Sequence, residues 1–353
     1  MQYPIIEIDL KKMKFNASKI AKLCSSKGIE IVGITKSFCG HPEIAKALVE
    51  GGVDILGDSR INNIKRYKEL KVKKMLVRIP MISQVDEVVE LCDISLNSEI
   101  KTIRGLSNAA MKKGKVHKVI LMFDVGDLRE GFFDEELFIK SVDEINKLKG
   151  VELIGIGTNV GCFSGVIPSS VNMERLIKIK EKINDKYNIN LQIVSVGNSS
   201  ILHLMEKNKM PVEINQIRIG AAIGLGIGLN DEKIEGFCHD AYKLKAEIVE
   251  IKEKPSVPIG EVGLDAFGNI PIFEDRGIRK RAICALGKQD VDFHKIIPEN
   301  DEIAILGGSS DHLILDITDC KEPLDIGDIV TFNLTYVGVL NAMTSAHVDK
   351  IFV

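Results

Sequence analysis

Eight short runs rich in Val and Ile alternate with helix-length polar and apolar stretches between about residues 29 and 217, and no other feature constrains the fold as strongly. The runs are IEIVGIT (29–35), VDIL (53–56), KMLV (74–77), DISL (93–96), KVILMFD (118–124), ELIGIGT (152–158), QIVSVG (192–197) and EINQI (213–217). Continuous apolar runs suit strands covered on both faces, as parallel strands are. Segments such as 41–51 and 169–187 have helical length and patterning. Strand and helix units in this series predict an α/β chain closed into a (β/α)8 TIM barrel. The C-terminal strand ends of such a barrel converge on one face, so residues far apart in sequence can share a site.

The 353 residues exceed the roughly 250 typical of a bare barrel, which leaves room for a second domain. After Gly228 the long helical stretches disappear. Short β-rich runs such as YKLKAEIVEI, RKRAICAL, DEIAIL, HLILDI and DIVTFNLTYV follow, broken by Gly, Pro and Asp turns. The expected division is therefore an N-terminal strand plus barrel over 1–233 and a C-terminal β-rich domain over 234–353. The opening run PIIEIDL can also join that β domain as an extra strand.

With 45% apolar and 27% charged residues, the composition is that of a soluble globular protein. A net charge of −3 gives no electrostatic footprint for nucleic acid. No run approaches the ~20 apolar residues that span a bilayer, so no membrane partner is expected and a small molecule is. The start MQYPIIEIDLKKMK lacks the pattern of a signal peptide, which points to the cytoplasm. Seven scattered cysteines without a CxxC predict reduced thiols rather than disulfides. Without an HxxxH pair, and with Cys238-His239 lacking further ligands at useful spacing, no metal is expected.

The residues suited to chemistry stand just after the strand-like runs. Lys36, in GITKSFCGH, would be partly desolvated at a barrel mouth, which favours the nucleophilic amine needed for a Schiff base; the alternative is an ordinary surface lysine. The last two units supply SVGNSS and IRIGAA, in the part of a barrel where phosphate often binds. There Ser199 offers a hydroxyl, while Gly220 and Ala221 allow close approach. Asn198 and its serines can equally cap the following helix, a compatible role. The run GAAIGLGIG does not match a dinucleotide-binding GxGxxG. Arg129, in DVGDLREGFF, can hold a carboxylate by two parallel hydrogen bonds, or pair with Asp124 or Asp127. An imine-forming lysine, a phosphate cradle and a carboxylate-binding arginine on one face together suggest pyridoxal phosphate acting on an amino acid.

The segments TKSFCGH, GDSR, DVGDLREGFF, GTNVGCFSG and AMTSAHV carry a resemblance to the alanine racemase family of pyridoxal phosphate enzymes, most closely its ornithine racemase branch, over essentially the whole chain. The resemblance implies that Lys36 holds the cofactor and moves a proton, and that Arg218 faces the pyridine nitrogen. It implies that Ser199, Gly220 and Ala221 cradle the phosphate, with Asn198 beside them, and that Asn159 replaces the ring-stacking histidine of alanine racemases. Arg129 corresponds to a substrate-carboxylate arginine. Met122 stands where alanine racemases often carry a carbamylated lysine that supports it, so Arg129 must be oriented otherwise. The VSYG tyrosine that serves as their second base is missing. GLDAFG aligns there, making Asp265 the nearest match to that role, although it can also be a turn aspartate or a carboxylate that reads a cationic side chain.

Ser310 and Asp311 match a family loop that reaches the neighbouring subunit's site, implying a head-to-tail homodimer. The implied activity is interconversion of L- and D-ornithine through a Cα carbanion with two-sided proton transfer. The alternatives are a broader basic amino-acid or alanine racemase, a related-fold aldolase or decarboxylase, and a non-catalytic pyridoxal phosphate carrier.

Overall fold

The computed structural model describes residues 2–353, which form two compact units: one of Leu10–His239, the other of the opening segment through Asp9 together with Asp240–Val353. After the opening strand β1 (Ile5–Ile8), the first unit is a closed parallel barrel of β2 (Glu30–Ile34), β3 (Ile55–Asp58), β4 (Lys73–Leu76), β5 (Ile94–Asn97), β6 (His117–Met122), β7 (Val151–Asn159), β8 (Ile193–Gly197) and β9 (Gln216–Ile219). Closure comes from β9 pairing with β2, Arg218 lying opposite Val32. Each expected strand is present, with ends moved by a few residues; the run at 213–217 becomes a strand at 216–219. Val32, Ile55, Met75, Ile94, Leu96, Ile120 and Met122, from five of the strands, fill a buried cluster in the barrel, so its interior is a packed core and the chemistry is left to the strand ends.

The second unit is an antiparallel sheet with strand order β12, β15, β10, β11, β14 and β13, built from β10 (Tyr242–Pro255), β11 (Ile278–Cys284), β12 (Ile296–Pro298), β13 (Ala304–Gly308), β14 (Leu313–Asp316) and β15 (Ile329–Leu334). Along β10 burial alternates, Leu244, Ala246 and Ile248 pointing inward, the period of a sheet with one covered face. The opening strand, grouped with the barrel in the 1–233 division, belongs here instead. It runs antiparallel to β10 and parallel to β16 (Asp349–Phe352), and its buried Ile5, Ile6 and Ile8 complete the sheet's core.

The unit also contains a helix, Tyr336–Thr344, which takes the last two residues of the strand-like run DIVTFNLTYV and continues past it. Its apolar sequence has no clear period, and the decisive signal is local: the Thr335 side chain accepts the Gly338 amide as an N-cap. Among the described residues no helix is long and apolar enough to cross a membrane.

Candidate active site

Lys36 follows β2 by one residue, at the start of a short 3-10 turn (Lys36–Phe38). It is half-buried, its carbonyl accepts the Cys39 amide, and its side-chain amine has no hydrogen-bond or ion-pair partner among the described residues, which leaves the amine available. Beneath it, Thr35 Oγ1 donates to Asp58 Oδ2 at 2.5 Å and so accepts from the Tyr67 hydroxyl at 3.2 Å. Asp58 also takes the Arg60 amide and the Asn63 side chain. Burial pushes its carboxyl above the usual range, and these hydrogen bonds only partly offset that. The sequence drew attention to the GDSR segment without giving Asp58 a task; it braces the turn that presents Lys36.

On the neighbouring strand ends, after β8 and β9, Ser199 Oγ accepts the amides of Gly220 at 3.3 Å and Ala222 at 3.0 Å. These N–H groups, at the start of a turn that Ala221 continues, converge on the serine side chain. A Cβ on Gly220 would lie 3.2 Å from Ile34 Cβ. Asn198 does cap: its Oδ1 accepts the Ser200 amide, while its Nδ2 donates to the Val160 carbonyl. Capping and the amide cluster therefore fall to different residues of the NSS motif.

Arg218 is buried at the end of β9. Its Nη1 donates to Ser195 Oγ at 2.6 Å, and its Nη2 to the Thr158 carbonyl at 2.6 Å and Asn159 Oδ1 at 2.7 Å. Of the five guanidinium donors, the Nε–H and one Nη1–H have no acceptor among the described residues. Burial pushes its pKa down to about 10, with Glu130 opposing and Arg129 adding to that effect, so it stays cationic at neutral pH. Gly197 makes this approach possible: a Cβ there would lie 2.6 Å from Asn159 Oδ1 and 2.9 Å from Arg218 Nη2.

Asn159 extends the network, its Nδ2 donating to Glu130 Oε1. Arg129 sits beside Glu130, which accepts from its Nε and Nη2, while its Nη1 donates to Cys162 Sγ. Burial would lower the pKa of Arg129, but the Glu130 carboxylate more than compensates and holds it above its ordinary value. Neither Asp124 nor Asp127 pairs with it. Asp124 accepts the amides of Gly126 and Leu128 within its own turn. The buried Asp127 accepts the amides of Gly161, Cys162, Phe163 and Val166. Met122 is fully buried in the barrel core, so the carboxylate beside Arg129 comes from its sequence neighbour.

The three candidates in the β unit have more local surroundings. Asp265 Oδ1 accepts the amides of Phe267 and Asn269 at 2.9 and 2.8 Å, the geometry of a turn aspartate. These bonds, the Asn269 amide foremost, hold its carboxyl below the usual range. Asp311 accepts from the hydroxyls of Ser309 and Ser310, and the Ser309 bond chiefly holds it low as well. Both loops are largely exposed.

Sequence reasoning missed Glu130, Ser195, Thr158 and Gly197. Only Glu130 had a signal, as the acid next to the singled-out arginine; the others became visible when β6, β7, β8 and β9 were laid side by side.

The barrel with these strand ends has known counterparts. The model of the alanine racemase N-terminal domain matches residues 8–225. The chain is 46% identical over 349 residues to the ornithine racemase of Acetoanaerobium sticklandii, covering 99% of each chain. It is 43% identical over 355 residues to the lysine racemase of Thermotoga maritima, covering 100% of this chain and 99% of that one. Among solved structures, alanine racemase from Clostridium difficile superposes with a TM-score of 0.79 at 19% identity, covering 100% of this chain and 96% of that one. Alanine racemase from Bartonella henselae, with covalently bound pyridoxal phosphate, gives 0.75 at 17% identity and covers 100% of both. These two structures share the fold, and the sequence matches carry the assignment: the chain belongs to the alanine racemase N-terminal domain family.

Proposed function

We propose that this protein is a pyridoxal phosphate-dependent racemase of basic amino acids that interconverts L- and D-ornithine. The observation that carries this reading is the joint presence, at the barrel's C-terminal strand ends, of a partner-free Lys36 amine, converging amides at Ser199 and a buried Arg218 with donors to spare. That donor set fits the cofactor. Ser199 and the backbone of Gly220 and Ala221 would hold its phosphate, steadied by Asn198. Arg218 would face its ring nitrogen, and Asn159 would lie beside the ring. The names of the ornithine and lysine racemase relatives support the substrate class.

When bound, the cofactor supplies an aldehyde that takes up the substrate's amino group and a ring that withdraws electrons from Cα. Lys36 would hold it covalently and then move the Cα proton on one face. Arg129 would bind the substrate's carboxylate. Because a guanidinium is a permanent donor, Arg218 would keep the ring nitrogen unprotonated and limit delocalisation, which favours reprotonation at Cα over transamination.

Racemisation needs a second acid–base group on the opposite face. Asp265 is the aligned candidate, although its hydrogen bonds favour its turn role. Asp311, with Ser310, is a candidate for reading the distal ammonium, which would be costly to bury without an acceptor. We place these residues at the site of a second subunit in a head-to-tail homodimer. The exposed Ile259, Leu264, Ile270 and Ile272 of the β unit support such an interface. The cytoplasm is the proposed compartment.

The test incubates the pure protein with single enantiomers of ornithine, lysine and alanine and follows chirality over time. Ornithine should equilibrate fastest. Preference for alanine would overturn the substrate assignment, and bound cofactor without any turnover would favour a carrier. Asp265→Asn and Asp311→Asn then locate the ammonium contact, whose loss would cost about 2–5 kcal/mol against ornithine and little against alanine.

A further inference from the structure

Glu130 lies where two guanidinium groups approach each other at the barrel mouth, and its hydrogen bonds use one specific side of Arg129. Its two oxygens take the Nε–H and one Nη2–H of Arg129, and Oε1 also takes Asn159 Nδ2, whose amide oxygen accepts from Arg218. Side-chain exposure is 19% for Glu130 and 33% for Arg129, so the pair is only partly screened by water. With Nη1 donating to Cys162 Sγ, Arg129 keeps one N–H on each terminal nitrogen without an acceptor among the described residues. Two donors on adjacent nitrogens match the two oxygens of a carboxylate.

We propose that Glu130 is a positioning residue. It grips Arg129 by its Nε side, turns the terminal edge toward the substrate's carboxylate, and supplies the negative charge that lets Arg129 and Arg218 share one barrel mouth. Asn159 makes the support continuous, so a single carboxylate steadies both the arginine for the substrate and the arginine for the ring. Glu130 acts through Arg129 and does not touch the substrate. The inference rests on the proposed racemase reading.

The test uses the holoenzyme and measures wild-type ornithine racemisation first; its absence would overturn the racemase reading, whereas the inference is decided by the variants. Glu130→Ala should weaken ornithine about tenfold in KM with kcat changed less than about threefold, the signature of lost uniform binding. Glu130→Gln, which keeps shape and one acceptor oxygen, should lie between wild type and Glu130→Ala, and it serves as the deciding variant where Glu130→Ala fails to fold. In an Arg129→Ala background, adding Glu130→Ala should change KM by less than about twofold, because both changes remove one interaction.

Equilibrium binding supplies a readout independent of turnover. Norvaline has the carboxylate and a side chain without the ammonium, and Glu130→Ala should weaken it by the same factor as ornithine. Loss of ornithine binding alone would overturn the inference by making Glu130 a direct contact of the distal ammonium. A full additional effect in the Arg129→Ala background, or wild-type constants for Glu130→Gln, would overturn it equally.

Discussion

The strand ends of the barrel and the loops of the β unit treat their polar side chains in opposite ways. In the barrel, Arg218 reaches Thr158, Asn159 and Ser195, Ser199 reaches Gly220 and Ala222, and Asn159 reaches Glu130. In the β unit, Asp265 is satisfied by Phe267 and Asn269, and Asp311 by Ser309 and Ser310. Groups tied to distant strands are held rigidly before a ligand arrives, which is what positioning for catalysis requires. Groups tied to their own turn are only as well placed as the loop that carries them.

The contrast is sharpest for the most demanding variant. Lys36→Ala should lower racemisation by about 10²–10⁴-fold or more and abolish the borohydride-fixed cofactor adduct. Retention of that adduct would move the attachment point and remove the chemical centre from the barrel mouth.

The outer face of the barrel strands, opposite the Ile94, Leu96, Ile120 and Met122 cluster, should also set the acid limit of the fold. His117 Nε2 lies 2.8 Å from Ser95 Oγ, and burial pushes the ring's pKa from 6.5 down to about 4. The folded state therefore keeps His117 neutral where the unfolded state has bound a proton, and stability falls as pH drops from about 6.5 to about 4. The cost is about 3 kcal/mol over that window. Urea unfolding of His117→Gln across that range should show a flatter dependence than wild type; an unchanged slope would place the acid-sensitive group elsewhere.

Gly197→Ala probes how tightly the network is packed. With its Cβ inside contact distance of Asn159 and Arg218, it should cost about 1–3 kcal/mol and speed cofactor loss, measured by denaturant midpoint and by dialysis. The smallest effect is expected in the β unit. Asp265→Asn keeps an acceptor oxygen for the two turn amides and should change stability by no more than about 0.5 kcal/mol. Turnover should move little as well. Loss of solvent-deuterium exchange from one enantiomer only would break the comparison by making Asp265 the second base.

Much of the barrel is legible in the sequence. Apolar runs and helical segments are local patterns, so the barrel strands can be counted; Lys36, Arg129 and Ser199 follow their strands as expected, whereas Asn159 ends β7 and Arg218 lies within β9. The β unit was harder to read. Its opening strand fits either unit, and the helix at Tyr336–Thr344 carries no sequence signal of its own beyond the Thr335 cap, its first two residues closing the strand-like run DIVTFNLTYV.

By itself, then, the sequence determined the alternation that closes the barrel and, to within a few residues, which chemically capable residues fall near a strand end, because both depend on neighbours a few residues away. The tertiary structure decided the partners. Asp124 and Asp127 were within local reach of Arg129, yet their oxygens take backbone amides, those of Asp127 from a loop more than thirty residues on. Glu130, with no aligned role, holds the arginine. A carboxylate must satisfy whichever donors the folded chain brings to it, and the buried Asp127, out of reach of water, is met by the backbone amides of a mostly exposed loop before any side chain.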